Sequence, residues 1–166
     1  LMYANALYKR GFVEAGYKVI DAIYRQSMDI NRSKMYPGIP EYFNPRGRGM
    51  YAYLTGSASW MILTMVTEVF GVKSDLGLPV FEPKLLLKQF EGETELKIET
   101  VIGHELVEVV YRNPSHLTYG EYAIGDVYVD QRKVACTKTD FGVRLNQKIN
   151  GKRVVIDLKE KEPTAS

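Results

Sequence analysis

The chain has 166 residues, with 22 Lys and Arg against 20 Asp and Glu and a formal net charge of +2. That length suits one ordinary domain or two small ones, and positive charges spread along the chain without a basic block point away from nucleic acid or a membrane surface as partner. The single Cys136 excludes an internal disulfide and suits a reducing, cytoplasmic setting.

Leu1 to about Lys9 has a helical pattern, and Gly11 is placed to stop it. Leu1 opens a helix-like segment without the basic start of a signal peptide, and Leu1–Tyr8 reads as the middle of something, so the sequence suggests a piece of a longer protein. A second helix is predicted from Phe12 to about Met28, where Phe12, Val13, Tyr17, Val19, Ile20, Ile23 and Tyr24 alternate with Glu14, Lys18, Asp21 and Arg25. Residues 30–54 have no convincing period, yet they hold Tyr36, Ile39, Tyr42, Phe43, Met50, Tyr51 and Tyr53, too many apolar and aromatic groups for a solvated tail. These rings serve either packing or a sugar site, in which they stack on a pyranose face while Glu41, Asn44 and the arginines bond its hydroxyls.

A third helix is predicted over Ser57–Phe70, closed by Gly71. Trp60, Met61, Ile62, Leu63, Met65, Val66, Val69 and Phe70 go nearly all the way round it, which predicts burial within a larger assembly. Thr64, Thr67 and Glu68 interrupt this stretch, and it is too short to span a bilayer. Near residue 74 the period changes to two, dividing the chain into a helical domain 1–74 and a strand domain 75–166. Leu96, Ile98 and Thr100 form one alternating set, and Val107, Val109 and Tyr111 a second. Tyr122, Ile124, Val127 and Val129 slip register at Gly125, which predicts a bulge. Val143 and Leu145, then Val154, Ile156 and Leu158, complete six or seven strands, with Asn150-Gly151 as a hairpin signal. Short antiparallel strands of this kind predict a β-sandwich, followed by a polar tail over Lys159–Ser166.

The candidate site lies where the loop meets the third helix, at Leu54-Thr55-Gly56-Ser57. A helix N-terminus carries free N–H groups and partial positive charge, so Thr55, Gly56 and Ser57 suit a phosphate or other oxyanion. The same residues also suit a plain N-cap, and the two roles can coexist. Arg48 between glycines reaches either a phosphate or loop carbonyls. Glu41, the only carboxylate in the glycine-rich part of the loop, is the candidate for a sugar hydroxyl, with Tyr53 beside it. His104 and His116 have no ligand cluster around them, so no metal site is predicted. Cys136 has no base near it in sequence.

The runs Gly47–Trp60 and Phe70–Lys84, with the long apolar helix between them, resemble the C-terminal region of the inverting disaccharide phosphorylases. That is the cellobiose and chitobiose phosphorylase family, which includes the phosphorylase-like end of cyclic β-1,2-glucan synthases. The resemblance is clear over residues 1–90 and loose over the strands; Ser59 stands where a glycine is common. It implies an α+β fragment comprising the last helices of an (α/α)6 barrel followed by a small antiparallel β-sandwich, in a homodimer. It further implies reversible phosphorolysis of a β-linked disaccharide or oligosaccharide to a sugar 1-phosphate with inversion. Inorganic phosphate is then a substrate, with no cofactor, and a carboxylic acid protonates the leaving oxygen. Thr55 and Gly56 match the family's phosphate-holding positions. The acid, and an arginine and a histidine that also hold phosphate, belong to upstream segments, so the chain alone is expected to turn over nothing. Two rivals remain: an inverting hydrolase of similar architecture, and a non-catalytic carbohydrate-binding or assembly module that needs an aromatic platform among Tyr111, Tyr119, Tyr122, Tyr128 and Phe141.

Overall fold

A computed structural model describes residues 1–35, 38–53, 56–149 and 153–162. The chain divides into two compact units, Leu1–Val69 and Phe70–Ser166.

The first unit holds α1 (Met2–Lys9), α2 (Val13–Met28), the single turn α3 (Ile30–Ser33), a hairpin of β1 (Tyr42–Phe43) and β2 (Gly49–Met50), and α4 (Gly56–Thr64). α1 ends at Arg10, and Gly11 follows at φ +80°, as a left-handed stop requires. The core forms between Ala4 and Tyr8, one turn apart on α1, and Val13, Gly16 and Ile20 at helical spacing on α2. Burial raises the Tyr8 phenol pKa well above its ordinary value. Asn5 Nδ2 donates to Thr64 Oγ1 at 3.2 Å, a buried bond that ties α1 to α4.

The predicted third helix is α4 followed by a π-helical turn over Met65–Val69. Thr67 Oγ1 donates to Leu63 O at 2.8 Å, a side-chain bond back to the preceding turn where the helix widens. The helix is not buried all round. Met61, Thr64 and Glu68 form its covered side, while Ile62 and Leu63 are exposed.

The (α/α)6 barrel expected from the resemblance is not what the chain forms. The described residues contain four short helices against eleven strands in three sheets. α1 packs on α2 and α4 as a small cluster, with no ring of helix pairs. An all-apolar α4 specifies that it needs cover without specifying how many helices supply it.

The second unit is built from β3 (Val72–Asp75), β4 (Leu78–Phe81), β5 (Glu95–Ile102), β6 (Glu105–Arg112), β7 (Tyr122–Val129), β8 (Arg132–Lys133), β9 (Cys136–Lys138), β10 (Val143–Leu145) and β11 (Arg153–Glu160). One sheet has the order β3-β4-β10-β9, the other β5-β6-β11-β7-β8. Two-residue turns join β3 to β4, β5 to β6 and β7 to β8. Both central residues are at positive φ in Leu76-Gly77 and Asp130-Gln131, as type I′ turns require, whereas only Gly103 is positive in Gly103-His104. The predicted bulge is present: β7 carries one extra residue, at Gly125-Asp126, opposite the step from Ile156 to Leu158 on β11.

The expected all-antiparallel sandwich also needs correction, because β11 lies parallel to β6 and antiparallel to β7. The central strands make the core: Val107, Val109 and Tyr111 of β6, and Val154, Ile156 and Leu158 of β11, are all buried. Tyr111 donates its hydroxyl to the Phe70 carbonyl, and burial pushes the phenol pKa well up. The Asn150-Gly151 hairpin signal and Tyr36 lie outside the described residues.

Candidate functional site

The stretch that lacks a sequence period is a short hairpin closed by an asparagine. β1 and β2 pair Tyr42 with Met50 and Phe43 with Gly49. Between them Asn44 Oδ1 accepts from Arg46 N at 2.9 Å and Arg48 N at 3.0 Å, and Asn44 N donates to Arg48 O at 2.9 Å. Such a side-chain turn needs only Asn and two following amides. Gln26 Nε2 of α2 donates to Gly47 O at 2.8 Å and fastens the hairpin tip to the helices. The hairpin exposes Tyr42 and Tyr51, whose rings tilt against each other at 6.1 Å, and Tyr53 beyond it is 82% exposed.

The hairpin base meets the N-terminus of α4 through Glu41. Its Oε2 accepts from Ser57 N at 3.1 Å, and its carbonyl oxygen accepts from Ser57 Oγ at 3.1 Å. Glu41 N in turn donates to Tyr51 O at 3.3 Å. A Cβ built on Gly56 lies 3.6 Å from Glu41 Oε1, an ordinary van der Waals distance, so the carboxylate sits directly against the first residue of α4. The positive end of α4 therefore carries an oxyanion from its own chain, the arrangement that helix-terminal N–H groups favour.

This places the predicted residues unevenly. Gly56, Ser57 and Glu41 come together. Glu41, predicted as a sugar contact, is also the acceptor that fixes the start of α4, a role sixteen residues away in sequence that no spacing rule signals. Thr55 lies outside the described residues. The side chains of Arg46 and Arg48 are exposed, with no hydrogen bond or ion pair among the described residues, and Arg48 enters the hairpin through its backbone.

The remaining candidates do not build a second centre of chemistry. His104 is exposed at its turn and His116 is exposed at φ +52°. No group of three or more His, Cys, Asp or Glu able to hold a metal occurs among the described residues. Burial raises the Cys136 thiol pKa, which disfavours the thiolate. Of the five strand-region aromatics, Tyr111 and Tyr122 are buried, Tyr119 and Tyr128 are half-buried, and Phe141 is 73% exposed. Among the described residues no helix is long and apolar enough to cross a membrane. No protein-family model matches the chain, and no curated protein does either.

Proposed function

We propose that the chain contributes the phosphate-facing turn and part of the sugar-facing wall to an inverting glycoside phosphorylase acting on β-linked glucosides or related sugars. The single observation that supports this most is the Glu41 carboxylate oxygen 3.1 Å from Ser57 N, because it marks the start of α4 as a place where an oxyanion is favoured. Beside it are the Ser57 hydroxyl and the exposed Tyr42 and Tyr51, and the tip of the same hairpin carries the exposed Arg46 and Arg48, the side-chain types that a sugar and a phosphate need.

In this reading phosphate takes the Gly56 and Ser57 amides together with the Thr55 hydroxyl. Two anions cannot share one amide at close range without strong repulsion, so phosphate displaces Glu41 Oε2 from Ser57 N. The freed carboxylate then turns to a hydroxyl of the sugar in the adjoining subsite, while Tyr42, Tyr51 and Tyr53 supply apolar ring faces. Protonation of the leaving oxygen falls to a carboxylic acid outside this chain.

The test is phosphorolysis by the longer protein that carries this chain, across β-linked disaccharides. Sugar release should depend strictly on phosphate, and Thr55→Val should raise the phosphate KM at least tenfold. Glu41→Gln should lower the phosphate KM while raising that for the disaccharide, since the competing anion is gone and the hydroxyl acceptor is weaker. Sugar release without phosphate, or a phosphate KM indifferent to Thr55→Val, overturns the assignment.

A further inference from the structure

β5 is one edge of its sheet, whose strand order is β5-β6-β11-β7-β8. The opposite edge, β8, is only Arg132–Lys133, whereas β5 runs the eight residues Glu95–Ile102. A very short edge strand is a common guard against strand addition, and β5 lacks it. We propose that β5 pairs antiparallel with β5 of a second copy of this chain, about a two-fold axis through Ile98, so that Lys97 faces the partner's Glu99. Nothing in this pairing depends on the phosphorylase reading.

The backbone sets which groups are open. Thr94 O accepts from Asn113 N at 2.7 Å, and the same register runs from Glu95 opposite Arg112 to Ile102 opposite Glu105. In an antiparallel ladder, bonded pairs alternate with unbonded ones. Leu96, Ile98, Thr100 and Ile102 therefore turn their amides and carbonyls toward β6. Those of Glu95, Lys97, Glu99 and Val101 point to the outer side, where they have no partner among the described residues. The side chains of these outward residues are exposed as well. The edge is thus a row of open donors and acceptors at the spacing a second strand needs.

Charge selects the occupant. With Ile98 on the axis, Lys97 lies opposite the partner's Glu99 and Glu99 opposite the partner's Lys97, and the two-fold makes both contacts at once. Shifting by one bonded pair sets Glu99 against the partner's Glu99 in one direction and Lys97 against the partner's Lys97 in the other, both unfavourable. Larger shifts leave part of the strand unpaired. Within one copy Glu99 lies opposite Glu108, a like charge, and makes no hydrogen bond or ion pair among the described residues. Lys97 Nζ reaches Glu108 at 3.5 Å, but Arg153 Nε holds that carboxylate at 3.0 Å, so Lys97 can turn outward without orphaning it.

The inner face agrees. Val107, Val109 and Tyr111 of β6 are buried, whereas Thr100, Ile98 and Leu96 opposite them are half-buried. An axis perpendicular to the sheet keeps inner face with inner face. Ile98 then meets the partner's Ile98, and Leu96 the partner's Thr100, which gives the outermost row the cover it lacks.

The experiment is sedimentation velocity of the 166-residue chain, from about 1 µM to about 1 mM, the range in which so small an interface assembles. A concentration-dependent dimer should form. Lys97→Glu and Glu99→Lys, both at exposed positions, should each weaken it at least tenfold with the amide NMR spectrum of the monomer otherwise unchanged. A mixture of the two variants should recover the dimer, since each copy then carries the charge that the other's edge needs. Isotope-filtered NOEs should link Ile98 of one copy to Ile98 of the other. A wild-type chain that stays monomeric throughout the range overturns the proposal. So does a dimer that either variant leaves at full strength, a mixture no tighter than either variant alone, or a dimer without the Ile98 contact.

Discussion

Replacing Tyr122 by Phe removes one oxygen and leaves a ring of nearly the same shape, so the cost isolates the hydroxyl. That oxygen accepts from the Leu85 amide at 2.7 Å and donates to the Pro83 carbonyl at 3.1 Å. Leu85 is 0% exposed and Tyr122 6%, so water cannot take over either bond. A buried donor left unsatisfied costs about 1–3 kcal/mol, and the carbonyl adds a smaller amount. Losing the need to bury a hydroxyl offsets about as much as the carbonyl adds, leaving an expected destabilisation of about 1–3 kcal/mol. The only tryptophan, Trp60, belongs to the other unit, so its fluorescence is the wrong probe. Hydrogen exchange of β7 and β11 amides under increasing urea reports the correct one. Tyr128→Phe is the control, because that ring lies half-buried beneath the Arg112 guanidinium at 5.4 Å, and it should cost under about 0.5 kcal/mol. If the two variants lose the same stability, the bridging role of the Tyr122 hydroxyl is wrong.

Gly71 sits at φ +66°, and a Cβ there would lie 2.0 Å from Glu82 O, whereas Gly77 at φ +80° has nothing within 4 Å. Gly77→Ala should therefore cost about 1–2 kcal/mol from backbone conformation alone, and Gly71→Ala at least about 3 kcal/mol, since the clash is with main chain that cannot step aside; equal urea midpoints would contradict this. Lys133, then Lys159, holds the Asp126 carboxyl below the usual carboxylate range, with Nζ–O distances of 2.6 and 3.0 Å. Its contribution is then present above the unfolded carboxylate value and fades as pH falls through the lower folded one. An NMR titration should show Asp126 losing its charge below ordinary aspartates, and a normal or raised midpoint would mean the lysines do not engage it.

Local stops were legible in the residues. Gly11 and Gly71 both take the left-handed conformation expected of helix ends, and the lost alternation at Gly125 marks a real bulge, because backbone sterics act within a few positions. The hairpin of β1 and β2 escaped because two-residue strands carry no period; its signal was Asn44 ahead of Arg46, Gly47 and Arg48. The parallel pairing of β6 with β11 joins residues far apart in sequence, and alternation says which face a side chain takes but not which strand lies beside it. The last barrel helices were drawn from likeness over residues 1–90, carried by the runs Gly47–Trp60 and Phe70–Lys84, and likeness in those runs places no demand on the number of helices around α4. At the site, Gly56 and Ser57 were legible as helix-terminal donors. The acceptor of Ser57 was not, because Glu41 reaches it only once the hairpin has folded back.

The mid-sheet position of β11 has a consequence for how the strand unit assembles. Among the described residues no ladder bond runs directly from the β5–β6 hairpin to the β7–β8 hairpin, and the two are joined through Arg153–Glu160. During synthesis those two hairpins emerge first and wait, each with a bare inner edge, until the joining strand leaves the ribosome. A chain that stops short of Arg153 would keep both edges open to neighbouring molecules, a template for strand addition between copies. The molecule's exposure to aggregation is thus greatest just before its sheet is complete.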